Sequence, residues 1–168
     1  MITPGYCREM ARYNAWQNRQ LSGLLQGMEA GELTRDRGAF FGSILGTLNH
    51  LVWGDLIWMA RFDGSDRPVG GIGDGTARHD GYEGWAGERA ALDARIETWA
   101  AGVGEAALRG DLRWVSGATG QEATRPLATC VVHMFNHQTH HRGQVHAMLT
   151  AAGSAAPVSD LVFMPGAE

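Results

Sequence analysis

Four of the seven histidines fall within nine residues, in the stretch His133-Met-Phe-Asn-His137-Gln-Thr-His140-His141, with Arg142-Gly-Gln144 directly after it. A helix advances about 100° per residue, so with His133 at zero, His137 lies at about 40°, His140 at about −20° and His141 at about 80°. All four share a sector roughly 100° wide. His137 and His141 stand at i and i+4, the spacing by which one helix offers two nitrogen ligands to a single metal ion. His133 with His137 has the same spacing, and His137 with His140 is an i, i+3 pair, so spacing alone leaves the ligand pair open. The plain alternative is a polar helix face whose histidines meet carboxylates or water. It suits one histidine better than four, because imidazole nitrogens turned toward a core need partners, and a metal ion provides one.

His50 is the candidate from elsewhere in the chain. Its helical neighbours at i−4 and i+4 are Gly46 and Gly54, each weakening a helix by about 1 kcal/mol relative to alanine. Two such glycines make sense if they leave room for a neighbouring helix or a ligand. His50 can equally hydrogen-bond across a close helix contact, and the cluster around His137 tips the reading toward a ligand. His50, His137 and His141 then form a three-nitrogen set with an open position, the pattern of a catalytic rather than a structural metal site. An ion held so can activate a water or take a substrate thiolate. His133, His140, Arg142 and Asp55 are the expected surroundings. Arg142 can clamp an anionic group or pair with a carboxylate such as Asp55, and Asp55 can orient a ligand histidine; structural pairing is the plainer expectation for both. Cys130 shares the sector but lies on the order of 10 Å along the axis from His137, so it reads as core.

Competing sites lack their residues. Met134 and Gln138 follow His133 and His137, so H-E-x-x-H is absent, as are Glu-x-x-His, G-x-S-x-G, the P-loop and the dinucleotide fingerprint.

Four apolar-periodic stretches are available to position these residues. The first spans 5–28, with Pro4 near its start, Gln17 filling a gap in the apolar stripe, and Gly27 or Gly31 near its end. Residues 31–38 read as loop. The second helix spans 43–62, with Ser43 as N-cap and apolar residues over more than half its circumference. Residues 63–81 form a nineteen-residue connection with six glycines and one proline. Extended, it reaches roughly 60 Å, about twice the preceding helix, so it can cross to a parallel third helix or cover a site as a lid. The third helix, 82–101, carries Trp85, Arg89, Leu92, Ile96, Trp99 and Val103 at helical spacing, and Gly102 and Gly104 end it. A short hairpin is predicted between 106 and 126 from Leu112–Ser116 and the Gly117–Gly120 turn. The fourth helix, 126–152, carries the histidines and stops at Gly153. In the tail, Leu161-Val-Phe163-Met164 is expected to pin the chain against the helices. The expectation from these stretches is one all-α domain over 1–168, a four-helix bundle with a small hairpin before helix four.

The composition narrows the partners. At 168 residues, 44% apolar and 19% charged, the chain can bury a full core. A net charge of −4 and a pI of about 5.9, with fourteen scattered arginines and no lysine, argue against nucleic acid or an anionic membrane. Cys7 and Cys130 fit reduced thiols. The N-terminus has no signal-peptide pattern and no run is apolar enough to span a bilayer, so a cytoplasmic protein is expected.

Asn136-His137-Gln-Thr-His140-His141-Arg142-Gly143-Gln144 resembles the C-terminal signature of the DinB-like (YfiT-like) family of metal-dependent four-helix-bundle proteins. Thr47-Leu-Asn49-His50, Trp58 and Arg61-Phe62 resemble that family's second-helix motif, and Tyr13-Asn14-x-Trp16-x-Asn18 its first helix. The likeness runs to about Gly153. It implies a four-helix bundle with a long crossover between helices two and three, and a homodimer with a divalent metal, zinc or nickel, on one second-helix histidine and the outer pair of H-x-x-x-H; by position these are His50, His137 and His141, with His133 unassigned. Characterised relatives are thiol-S-transferases that use bacillithiol, mycothiol or glutathione, including mycothiol-dependent maleylpyruvate isomerases. The implied function is a metal-dependent transferase acting on a small molecule with a low-molecular-weight thiol cosubstrate, in a damage-inducible, stress-response or detoxification setting. The rivals are a non-catalytic metal- or small-ligand-binding stress protein and a metal-free dimer with structural histidines.

Overall fold

The computed structural model describes residues 1–117 and 119–166. It is mostly helical, with one two-stranded sheet. Helix α1 (Pro4–Leu25) begins where Thr3 Oγ1 accepts the Tyr6 N–H at 3.2 Å and Pro4 takes the first turn. It ends at Leu25, before either glycine expected to stop it. A five-residue helix, α2 (Ala30–Thr34), occupies part of the stretch read as loop. Ser43 caps α3 (Ile44–Asp63) as expected, its Oγ accepting the Gly46 N–H at 3.0 Å, and Gly64 closes it in the left-handed region at φ 75°.

The connection after α3 contains a second five-residue helix, α4 (Ile72–Thr76), before α5 (Tyr82–Gly102). A further turn, α6 (Glu105–Leu108), leads to antiparallel strands β1 (Asp111–Val115) and β2 (Glu122–Pro126), the expected hairpin. The longest helix, α7 (Leu127–Ala151), follows without a break. Helices α2, α4 and α6 escaped the sequence reading because four or five residues are too few to show a 3.6-residue period.

Residue pairs set the helix directions. Asp55 meets Arg89, Asp63 meets Arg95 and Phe62 stacks on Trp99, so α3 and α5 run the same way and the long connection crosses between them. Ser22 meets Tyr82 while Asn14 and Asn18 meet Asp93, so α1 runs opposite to α5. His50 lies beside His141, Gly54 faces His137, and Trp58 packs on His133, so α7 runs opposite to α3. Between the four long helices lies an apolar core that includes Leu21, Leu48, Trp85, Ile96, Met134 and Phe135, each almost fully buried. No helix among the described residues is long and apolar enough to cross a membrane.

The tail departs from expectation. Met164 is buried, but Val162 and Phe163 are 79% and 68% exposed, although a 3-10 turn spans Leu161–Phe163. What holds the segment is polar. Tyr13 OH donates to Ser159 O and Gln17 Nε2 to Val158 O, both at 2.6 Å, while Gln20 both donates to and accepts from the Val158 backbone.

Candidate metal centre

The register of α7 against α3 settles which histidines meet. His50, His137 and His141 each offer a ring nitrogen, and these atoms lie within 4.8 Å of one another. The ring of His50 is centred 5.1 Å from that of His137 and 4.8 Å from that of His141, and the last two are 4.4 Å apart. Gly54 explains part of the close approach, since a Cβ there would sit 3.0 Å from His137 Cε1. The other flanking glycine answers to something else: a Cβ on Gly46 would fall 2.5 Å from the Phe41 carbonyl oxygen, which makes room for the turn into α3.

Burial sets the charge state. His50 is pushed down to about 4 by burial and then by neighbouring His141. Burial and the surrounding histidines lower His137 to about 3. His141 is lowered by burial too, partly countered by its hydrogen bond to Gln144. All three are therefore neutral at pH 7, the form that binds metals.

His50 Nε2 and His137 Nε2 are 3.1 Å apart. Two nitrogens bound at about 2.05 Å on a tetrahedral ion stand about 3.3 Å apart, so the observed spacing suits a shared cation. Without one, a single ring must donate to the other. His141 is arranged differently. Its Nδ1 lies 2.7 Å from Gln144 Oε1, so with Nδ1–H donating to that amide oxygen, Nε2 keeps its lone pair for the site. The Gln144 amide nitrogen approaches His140 Nε2 at 3.4 Å. The donor set thus fits a divalent ion: three neutral imidazoles converge, one held by a neighbouring amide.

The other expected residues fall outside this group. His133 is an exposed residue whose ring lies 6.0 Å from His137 and 5.0 Å from Trp58. His140 is exposed on the far side of His141. Arg142 and Asp55 face away from the histidines. Asp55 Oδ2 accepts from Arg89 Nη1 at 2.7 Å, and Arg142 Nη1 donates to Asn14 Oδ1 rather than to Asp55. Cys130 is buried apart from the cluster, and both cysteines are free. The sequence reading gave no role to Phe41, which stacks on His50 at 3.9 Å between centroids, or to Gln144. A glutamine three residues after a histidine on one helix face was the available signal for the second; Phe41 precedes α3 and left none.

Beside the histidines opens a cleft of roughly 610 Å³. Its walls include Trp53, Ile57 and Trp58 of α3, His133 and His137 of α7, and part of the long connection from Arg67 to Ile72. The connection therefore crosses between helices and also borders the cleft. Gly75 of α4 fixes that border, because a Cβ there would lie 2.6 Å from Trp53 Cγ.

Compared with curated proteins, the chain finds no match. The family model described as the DinB family matches residues 1–168, the whole chain, and the protein belongs to that family.

Proposed function

From this membership and the site geometry we propose that His50, His137 and His141 hold a divalent metal, zinc or nickel. We propose further that the protein is a thiol-S-transferase acting on a small electrophile with a low-molecular-weight thiol, as a homodimer of one-domain four-helix bundles. The observation that carries this reading is the convergence of three neutral imidazoles at the wall of an open cleft, where no Asp, Glu or Cys joins them among the described residues. A divalent ion in such a site supplies a Lewis-acid position that favours the anionic form of a bound thiol or water near neutral pH.

The protein's own residues prepare that position. Burial keeps His50 and His137 unprotonated. Gln144 holds the His141 ring in one tautomer, and Phe41 stacks over His50 and limits its rotation. Gly54 leaves the space that lets His137 approach α3. The indoles of Trp53 and Trp58 give the cleft an apolar wall, which suits the carbon framework of an electrophile better than free water.

Elemental analysis of tag-free protein tests the metal, and steady-state assays pairing bacillithiol, mycothiol or glutathione with a chloroarene such as chlorodinitrobenzene test the chemistry. About one divalent ion per chain and thiol-dependent turnover are expected. Wild-type metal content in His137→Ala would overturn the ligand assignment. A bound metal with no turnover for any thiol would turn the reading to a non-catalytic binding protein.

A further inference from the structure

Arg61 lies in the cleft, about two turns of α3 and on the order of 10 Å along the axis from Gly54, the residue that faces His137. Its guanidinium carbon sits 4.4 Å from the Trp58 ring centroid and 5.1 Å from that of Trp114 on β1. Among the described residues it has no carboxylate partner, and its Nε is buried without an acceptor. Arg67, from the long connection, borders the same cleft and, among the described residues, has only a 3.5 Å contact with Val115 O. Burial and then the charge of Arg67 lower the Arg61 pKa, opposed only by Cys130, and both arginines line the one cleft. Elsewhere in the protein arginines do find carboxylates: Arg78 with Glu88, Arg89 with Asp55 and Asp93, Arg95 with Asp63. A guanidinium pair without an acid, walled by indoles, is the donor set that receives a carboxylate attached to a flat apolar body.

We propose that Arg61 and Arg67 form a carboxylate-binding subsite, and that the electrophile used at the three-histidine centre is a planar molecule carrying a carboxylate up to about 10 Å from its reactive atom. The proposal rests on the reading of that centre as the reactive one, but its binding test does not need turnover. Arg61 and Arg67 bind the carboxylate, Trp58 faces the ring, and the reactive end lies toward His137.

The test titrates naphthalene carboxylate and its uncharged methyl ester into tag-free protein, following heat and tryptophan fluorescence. The acid is expected to bind at least tenfold more tightly than the ester. Arg61→Gln and Arg67→Gln should each weaken the acid about tenfold and leave the ester unchanged. Arg67 is an exposed residue, so its variant keeps the test intact if Arg61→Gln fails to fold. Repeating the titration in chelator should change acid binding less than twofold. Equal affinity for acid and ester overturns the proposal, as does insensitivity to both substitutions. Acid binding that disappears with chelator but ignores both arginines places the carboxylate on the metal and overturns it too. If the protein holds no metal but the acid still binds through Arg61 and Arg67, the subsite stands and the metal reading alone fails.

Discussion

Two polar clusters occupy adjoining faces of the same two helices. Gly54 and His141 face the histidine centre, while the next residues, Asp55 and Arg142, turn into a buried ionic network. That network joins all four long helices. Arg89 of α5 spans Asp55 of α3 and Asp93 at 2.7 and 2.8 Å, Asn14 and Asn18 of α1 donate to Asp93, and Arg142 of α7 reaches Asn14. Burial opposes the Arg89 charge, but Asp93 and Asp55 more than offset it and raise its pKa; Arg142, with less compensation, is lowered by burial to about 10. Two cations face two anions within the protein itself. In the histidine centre no such compensation exists, and burial answers by keeping the rings neutral. A cluster whose charges cancel internally holds a fold together. The other brings three imidazoles together with no Asp, Glu or Cys among them in the described residues.

The contrast breaks most easily at Arg89. Arg89→Met strands Asp55 and Asp93 in the core, so urea unfolding should show a loss of about 3–5 kcal/mol. A loss under about 1 kcal/mol would mean the ionic network is not structural. On the other side, saturating metal at a hundredfold its Kd should stabilise the wild type by about 2.7 kcal/mol. Chelator should remove that increment, and His137→Ala should melt at the same temperature with or without chelator.

Acid probes the histidines most directly. In the chelated protein, unfolded histidines take up protons near pH 6.5, whereas folded His50 and His137 resist until about 4 and 3. The unfolded state then binds more protons, so stability is full above pH 6.5 and falls as pH drops toward those folded values. Allowing for solvent screening, the loss between pH 6.5 and 5 should be about 2 kcal/mol, and His50→Ala should reduce but not abolish it, since His137, His141 and His133 are lowered as well. Carboxylates such as Glu88, whose pKa is lowered by its bond to Arg78, lose their contribution from the usual carboxylate pKa downward, largely below this window, while Asp93, whose carboxyl pKa burial raises, opposes the loss. Smallest is Gly54→Ala. Its gain in helix propensity of about 1 kcal/mol opposes the crowding of His137, so net stability should stay within about 1 kcal/mol. Metal affinity, read by competition with a chromogenic chelator, should fall about tenfold.

Helical periodicity made much of this legible in advance. It grouped the histidines in one sector of α7, and it set Arg89 in register with Trp85, Leu92 and Ile96, all four of them buried. It could not choose between His133–His137 and His137–His141, since both pairs are four residues apart. That choice is made by α3, which places Gly54 opposite His137 and the large Trp58 opposite His133. Asp55 and Arg142 stood next to site residues in sequence but point elsewhere, because a single step along a helix turns a side chain by about 100°. The apolar run in the tail misled for another reason. Its grip on the helices does not run through side chains of its own, apart from Met164.

That grip has an evolutionary consequence. Tyr13, Gln17 and Gln20 of α1 hold positions 158 and 159 through main-chain atoms, which every residue type presents alike, proline's missing N–H excepted. Identity at those two places is therefore free to drift while the route across α1 is kept. Met164 aside, the substitutions that release the strap are the ones made far away, in the first helix.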